Sequence, residues 1–428
     1  MKEMRNENDE MRNEGLRMLV IADDITGAAE IAGMAYSKGQ QVRLLCADCT
    51  DSAGCTDSVG NTTITVIATD TRSMTEAEAT AETRRLASFL ISHFSFLISP
   101  ADSFLISHFS FLIYKKADSA LRGHVVAELE ALMKATGFRR AVYMPANPSK
   151  GRIIRDGIYY IDGKPIHETA FSYDPEFPAC TSSLRERFPD AAEKGIVMPD
   201  ATTMDDICHL VSHYDDGNTL FAGAADLFAA LMEARGRKRD DMTASQAMEA
   251  RDEKPALPHS TLILCGSTQS RPLDLGIPIA SMPREVYDGQ QDADYWFNQL
   301  STPLLTREGP GEGLSGEGLS GEGLSGESLL LAIPFTHRTG KAVAIHLRTV
   351  MAEMARRLVS RHHPDSLIIE GGATAWATLN ALGWHEFQIE RQVAPGVVQM
   401  RSVTSGTLVT LKPGSYPWGG LFDKDRQG

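Results

Sequence analysis

Short, nearly unbroken apolar runs alternate along this chain with longer stretches whose apolar residues recur every three or four positions. Met18 to Ala22, closed by Asp23-Asp24, predicts a buried strand over 18–24. The next stretch predicts a helix over 26–38 stopped by Gly39, and 41–46 a second strand. Thr63 to Ala68 predicts a third strand, followed by Thr69-Asp70-Thr71-Arg72-Ser73 and a helix over Thr75 to Leu86. Residues 124–135 predict a helix with Val125, Val126, Leu129 and Leu132 on one face. In the second half the pattern predicts strands over Thr261–Cys265, Ser366–Ile369 and Thr407–Leu411. It predicts helices over Ala342–Leu358 and Ala373–Leu382, the latter ended by Gly383. Such alternation belongs to the α/β class, with mostly parallel sheets flanked by helices.

At 428 residues the chain is long enough for two domains. Residues 236–258 are charged, poor in large apolar side chains and Pro-rich at their end, which predicts a linker or exposed insertion. The expected domains are therefore 17–235 and 259–428.

Two repeats interrupt the pattern. SFLISHFSFLI at 88–98 recurs letter for letter at 103–113, a local duplication that lengthens the connection before Tyr114-Lys115-Lys116. Pattern alone leaves an extra hairpin and an extended helix both open. GEGLS occurs at 311–315, 316–320 and 321–325, and its Gly and Glu content predicts a flexible acidic loop.

Charge narrows the partners. A formal charge of −14 argues against nucleic acid, which needs a basic face. Six cysteines do not make a disulfide scaffold, and Cys46 with Cys49 has CxxC spacing but no second pair to complete a zinc site. Met1 to Arg17 has no apolar core of a signal peptide, and no window reaches the ~18 apolar residues of a membrane span. These features point to a cytoplasmic enzyme with no membrane partner.

The candidate chemistry lies at predicted strand ends, where open α/β sheets bind ligands. Asp23 and Asp24 precede Thr26-Gly27 at a helix start. One carboxylate suffices to cap the helix, and the second is free to orient or deprotonate a substrate hydroxyl. Lys115-Lys116-Ala117-Asp118-Ser119-Ala120-Leu121-Arg122-Gly123 puts a cation at a helix N-terminus, where it is reasonable if an anion binds there too. Arg122 could equally pair with Asp118 across one turn. Pro145 to Arg152 carries two more cations in a turn-rich stretch. In the second half, Gly266-Ser267, Gly371-Gly372-Ala373-Thr374 and Lys412-Pro413-Gly414 put glycines at strand ends, as a phosphate cradle requires. None is a Walker A loop: Thr339-Gly340-Lys341 resembles its tail, but Phe335 stands where its first glycine belongs.

Taken together these pieces resemble the four-carbon acid sugar kinase family, once catalogued as a domain of unknown function. The matching segments are Ile21 to Ala28, Lys115 to Gly123, Pro145 to Pro148 with Gly151-Arg152, Gly266-Ser267, Gly371 to Ala375, Pro395 to Val397 and Lys412 to Gly414, in the family's order. The resemblance implies an ATP-dependent kinase for 3-oxo-tetronate, threonate or erythronate, with Mg²⁺ and an active site in the cleft between two domains. The expected substrate site is Asp23, Asp24, Arg72, Lys116, Asp118, Ser119, Arg122, Gly123 and Arg152. The resemblance implies nucleotide contacts at Ser267, Gly371, Gly372, Ala373, Thr374 and Gly414. Asp24 would be the base, Asp23 its helper, and Arg122 with Lys116 would hold the substrate carboxylate or the transferring phosphoryl group. The metal ligands stay unassigned and a homodimer stays open. A non-catalytic two-lobed sugar-acid binder and a metal-dependent sugar-acid dehydratase or aldolase are the competing readings.

Overall fold

The computed structural model describes residues 17–49, 63–94, 111–174, 177–240, 260–266, 275–305, 328–335, 338, 340–414 and 416–422. The GEGLS repeat, most of the SFLI duplication, residues 241–258 and Ser267 lie outside the described residues. The chain divides into two compact units, Met1–Glu249 and Ala250–Gly428.

The first unit runs β1 (Arg17–Ala22), α1 (Ile25–Ser37), β2 (Val42–Cys46), β3 (Ile64–Ala68), α2 (Glu76–Phe94), β4 (Phe111–Lys116), α3 (Val125–Thr136) and β5 (Arg140–Met144). It continues through β6 (Arg152–Arg155), β7 (Ile158–Ile161), β8 (Lys164–Pro165), α4 (Leu184–Arg187), β9 (Ile196–Val197), α5 (Met204–Tyr214), β10 (Thr219–Gly223) and α6 (Ala225–Asp240). Its main sheet has the order β2-β3-β1-β4-β10-β5-β9, and every neighbouring pair is parallel. Met18 to Ala22 are all essentially inaccessible, as are Val66 to Ala68 and Leu220 to Ala222. Helices cover both faces of such a sheet, so its strands are apolar throughout rather than alternating.

Helix starts follow from local chemistry. Asp24 caps α1, its Oδ1 accepting the Gly27 N–H at 2.9 Å. Ahead of α2, the Thr75 hydroxyl accepts the Glu78 N–H while Glu78 accepts the Thr75 N–H, a reciprocal capping box. Residues 236–240, expected to open a linker, instead continue α6 to Asp240. The SFLI repeat meets two fates. Ser88 to Phe94 of its first copy end α2, and Phe111 to Ile113 of its second begin β4.

Periodicity did not reveal a small antiparallel sheet, β6-β7-β8. Its two turns are Asp156-Gly157 and Asp162-Gly163, with φ of 54° and 71°, then 50° and 78°. Positive φ at both central residues is the tight-hairpin turn that an Asp-Gly pair favours.

The second unit contains β11 (Thr261–Cys265), β12 (Ile279–Ser281), α7 (Arg284–Tyr287), α8 (Ala293–Leu305), β13 (Leu329–Ala332) and α9 (Lys341–His362). Then come β14 (Ser366–Glu370), α10 (Gly372–Leu382), β15 (Glu386–Ala394), β16 (Val397–Ser402) and β17 (Leu408–Lys412). The order is β12-β13-β11-β14-β17-β16-β15, parallel as far as β17 and antiparallel from β17 to β15. The sheet is thus mixed, though mostly parallel. In β15, Phe387 and Ile389 are buried while Gln388 between them is exposed, the alternation of a strand with one wet face. Among the described residues no helix is long and apolar enough to cross a membrane.

Candidate active site

Strand register assembles the first group of side chains. β1 lies between β3 and β4, with Ala22 level with both Ala68 and Lys116. The residues just beyond these three ends are therefore neighbours. Asp23 N–H donates to the Lys116 carbonyl at 3.3 Å, and Arg72 N–H to the Asp23 carbonyl at 3.3 Å.

One guanidinium ties the ends together. Arg72 donates its Nε to Asp23 Oδ2 at 2.9 Å and its Nη2 to Asp23 Oδ1 at 2.9 Å, a bidentate fork. The same Nη2 reaches Asp24 Oδ1 at 3.0 Å and lies 3.7 Å from Asp118 Oδ1. Arg122 forms a second fork, Nε to Asp118 Oδ2 at 2.8 Å and Nη2 to Asp118 Oδ1 at 3.0 Å. The one-turn pairing that the spacing allowed is thus present. Asp118 also accepts the Ala120 N–H at 3.0 Å.

The electrostatics follow from this crowding. Burial pushes the Asp24 carboxyl up, but Arg72, Lys116 and the Thr26 hydroxyl together leave it below its ordinary value. For Asp118 burial is again opposed, by Arg122 and then Arg72, and the carboxyl ends well below the usual range. Burial would discharge Arg72, yet Asp23, Asp24 and Asp118 hold its pKa well above normal. Charges buried in such mutual contact remain ionised because each supplies what water would have supplied.

The remaining expected residues line the same strand ends. Arg152 donates to the Ser119 hydroxyl. Lys116 donates to the Ala117 carbonyl at 3.1 Å and lies 3.7 Å from Glu30 of α1. Gly123 has φ +91°, and a Cβ there would sit 3.7 Å from Asp23 Oδ2, so the turn brings bare backbone up to the carboxylate. Leu121 adopts φ 62°, an unusual conformation for a residue with a side chain. It costs about 1–3 kcal/mol and is typical of turns that serve a site.

Sequence reasoning passed over several neighbours. Glu30 is a buried acid on an otherwise apolar helix, paired with Lys150 as well as Lys116. A lone acid in ITGAAEIAGMAYS was the available signal. Tyr159, on the small sheet, donates to the Pro145 carbonyl at 3.1 Å and so ties β7 to the end of β5. Phe171 faces both Arg122 and Arg152. Lys115, by contrast, turns away from these residues to Glu128 of α3 at 2.5 Å, in full burial.

The second unit has its own aligned strand ends. Cys265, Glu370 and Lys412 are level across β11, β14 and β17. Lys412 Nζ donates to Glu370 Oε1 at 2.6 Å, and to the carbonyls of Pro413 at 3.0 Å and Gly414 at 3.2 Å. Both side chains are buried, and the ammonium lies 4.8 Å above the Trp418 ring centre. Neither was among the expected nucleotide contacts, although a charge closing each apolar run, SLIIE and LVTLK, marked the place. Burial, aided by Glu370, pushes the Cys265 thiol up to about 12, which makes it unreactive.

Gly371 then turns the chain into α10 at φ +96°, a conformation that suits glycine. Its N–H is taken by the Lys412 carbonyl at 2.9 Å. The first-turn N–H groups of Gly372, Ala373 and Thr374 have no acceptor within the helix, and no side chain caps it. At Gly266 a Cβ would come within 2.1 Å of the Thr374 hydroxyl, so Gly266 lets the end of β11 pack against this turn. An uncapped helix start, approached by glycine backbone, fits a phosphate group. A magnesium ion fits differently. Asp23, Asp24 and Asp118 are engaged by guanidinium groups, and among the described residues no cluster of acidic, His or Cys side chains is arranged to hold a metal. Phosphate oxygens and water would have to supply most of its ligands.

Comparison with known proteins matches segments in both units. A family model described as a sugar-binding N-terminal domain matches residues 18–191, and one described as a nucleotide-binding C-terminal domain matches 330–416. A D-threonate kinase of Salmonella typhimurium is 30% identical over 171 residues, which span 40% of this chain and 36% of that protein's length. A D-threonate kinase of Cupriavidus necator is 25% identical over 89% of each chain. A 3-oxo-tetronate kinase of Brucella melitensis is 24% identical over 94% of this chain and 93% of its own. The crystal structure of a Haemophilus influenzae protein superposes with a TM-score of 0.59 at 19% identity, over 94% of this chain and 98% of that one, and shows the same fold. With both domain models matched in order along one chain, the protein belongs to the four-carbon acid sugar kinase family.

Proposed function

We propose that the chain is an ATP-dependent kinase acting on a hydroxyl of a four-carbon sugar acid of the threonate, erythronate or 3-oxo-tetronate type. The observation that carries this reading is the cluster of three carboxylates, Asp23, Asp24 and Asp118, and two guanidiniums, Arg72 and Arg122, at three adjacent parallel strand ends. Carboxylates and guanidiniums in one place suit a small ligand that is both polyhydroxylated and anionic.

In this reading Arg122 and Lys116 hold the substrate carboxylate. Asp24, fixed by its cap and by Arg72, accepts a hydrogen bond from the hydroxyl to be phosphorylated, and Asp23 orients Arg72. A carboxyl held below its ordinary pKa is ionised at neutral pH but weakly basic. That suits orienting a hydroxyl in a loose phosphoryl-transfer transition state, where little proton abstraction is needed early. The α10 N-terminus, with Gly371, Gly372, Ala373, Thr374 and Gly414, cradles the triphosphate, and Lys412 braces the 413–414 turn. Mg²⁺, carried on the phosphates, supplies charge neutralisation. A kinase that draws on ATP would work in the cytoplasm.

The test is a screen of the stereoisomeric four-carbon acids with Mg²⁺ and ATP, reading ADP release and phosphorylated acid. Turnover of at least one acid is expected. Binding of an acid without turnover would favour a non-catalytic binder, and turnover without nucleotide would favour a dehydratase or aldolase.

A further inference from the structure

The loop that follows the small sheet carries Phe171 in the turn Ala170–Tyr173, then Asp174. Local hydrogen bonds tie its described residues together. Thr169 caps the turn by accepting the Phe171 N–H at 3.3 Å, Ala179 N–H returns to the Phe171 carbonyl at 3.0 Å, and Asp174 Oδ1 accepts the Phe177 N–H at 2.8 Å. Phe171 presents its ring to both guanidiniums, 5.8 Å from Arg122 and 5.7 Å from Arg152. Aromatic faces of this kind hold a guanidinium plane in orientation.

The two edges of Arg122 are not equally satisfied. Asp118 takes Nε and Nη2 at 2.8 and 3.0 Å. The remaining corner, Nη1, faces Asp174 Oδ2 at 3.5 Å, the outer limit of a hydrogen bond. The Nη1 corner of Arg122 is thus weakly used, and a carboxylate of the protein itself stands in front of it.

We propose that Asp174 is a specificity-determining residue of this site: its carboxylate holds the corner of Arg122 that a substrate carboxylate takes on binding. An anionic ligand must displace or repel Asp174, whereas an uncharged polyol need not. Asp174 therefore tempers affinity for the acid without touching the reacting hydroxyl. The inference rests on the acid-sugar reading above.

Asp174→Asn is the test, because asparagine keeps the oxygen that caps the Phe177 N–H and removes the charge. D-threonate binding is measured by calorimetry without nucleotide, with erythritol as the uncharged probe, alongside steady-state kinase kinetics. The variant should bind D-threonate about two- to fivefold more tightly, the size of one partly exposed ion pair. Its KM for the acid should fall by the same factor, with kcat, KM for ATP and erythritol binding unchanged. Unchanged or weaker D-threonate binding in the variant overturns the inference and leaves the kinase reading intact. Acid binding that tightens in a protein without kinase turnover upholds Asp174's role and sinks the kinase reading. If neither protein binds or phosphorylates any four-carbon acid, both are wrong.

Discussion

At the scale of single residues, Asp24 takes the capping role that the sequence reading weighed against a catalytic one, and it makes a second contact besides. It caps α1 through Gly27 and Thr26, and it shares Arg72 with Asp23. An ionised carboxylate has about four lone-pair positions, so capping does not exhaust it. Asp24→Asn should cut kcat by ~10², the lower end for a general base, because the depressed carboxyl is a weak one. KM for ATP should hardly move. A larger loss in Asp23→Asn than in Asp24→Asn would reverse the two roles, and full activity in both would leave only a cap. Gly27 belongs to the same arrangement. A Cβ there would meet Asp24 Oδ1 at 2.6 Å, so Gly27→Ala should push the carboxylate off its cap and depress turnover nearly as far. Wild-type kcat in that variant would show that the position of Asp24 is not critical.

At the scale of elements, the buried pair Lys412–Glu370 joins β17 to β14 where the Gly371 turn begins. Removing one partner of a buried pair leaves a charge with neither water nor counter-ion. Lys412→Met should cost roughly 3–5 kcal/mol, read as a lower midpoint in denaturant unfolding of the whole chain. Replacing both, Lys412→Met with Glu370→Leu, should recover most of that loss. A single variant as stable as the parent would mean that water reaches the pair. In the first unit the Asp118 turn makes a pH prediction. Its carboxyl is depressed in the folded chain, so its contribution is complete above the unfolded value of ~3.9 and is lost as pH falls through the lower folded value. The melting temperature should therefore drop on acidification below about pH 4, and Asp118→Asn should flatten that drop while lowering stability at pH 7. Identical acid profiles for the two proteins would remove Asp118 from the account.

At the scale of the whole molecule, the proposed function assigns acid recognition to the first unit and nucleotide recognition to the second. Substitutions should respect that division. Arg122→Ala should raise KM for the acid far more than for ATP. Gly372→Val, which adds a side chain beside the proposed phosphate position, should abolish nucleotide binding while acid binding survives. Calorimetric titration of each ligand against each variant reads both arms. A variant that weakened both ligands equally would contradict the assignment.

Much of this was legible in the sequence for one physical reason: a strand buried on both faces must be apolar throughout. Met18–Ala22, Thr261–Cys265 and Ser366–Ile369 announce themselves, and the polar or glycine residues that follow them mark the candidate site. The Asp156-Gly157 and Asp162-Gly163 turns were also there to be read, since local backbone chemistry shapes them. Partners far apart in sequence were not legible. Arg72 reaches Asp23 across 49 residues, and Lys412 reaches Glu370 across 42, because strand register brings them level. The SFLI repeat marks the same boundary. Its letters end a helix at Ser88–Phe94 and begin a strand at Phe111–Ile113. The apolar letters of the repeat suit either element. Only the tertiary structure decided between them, because an apolar segment takes the conformation of the surface it packs against.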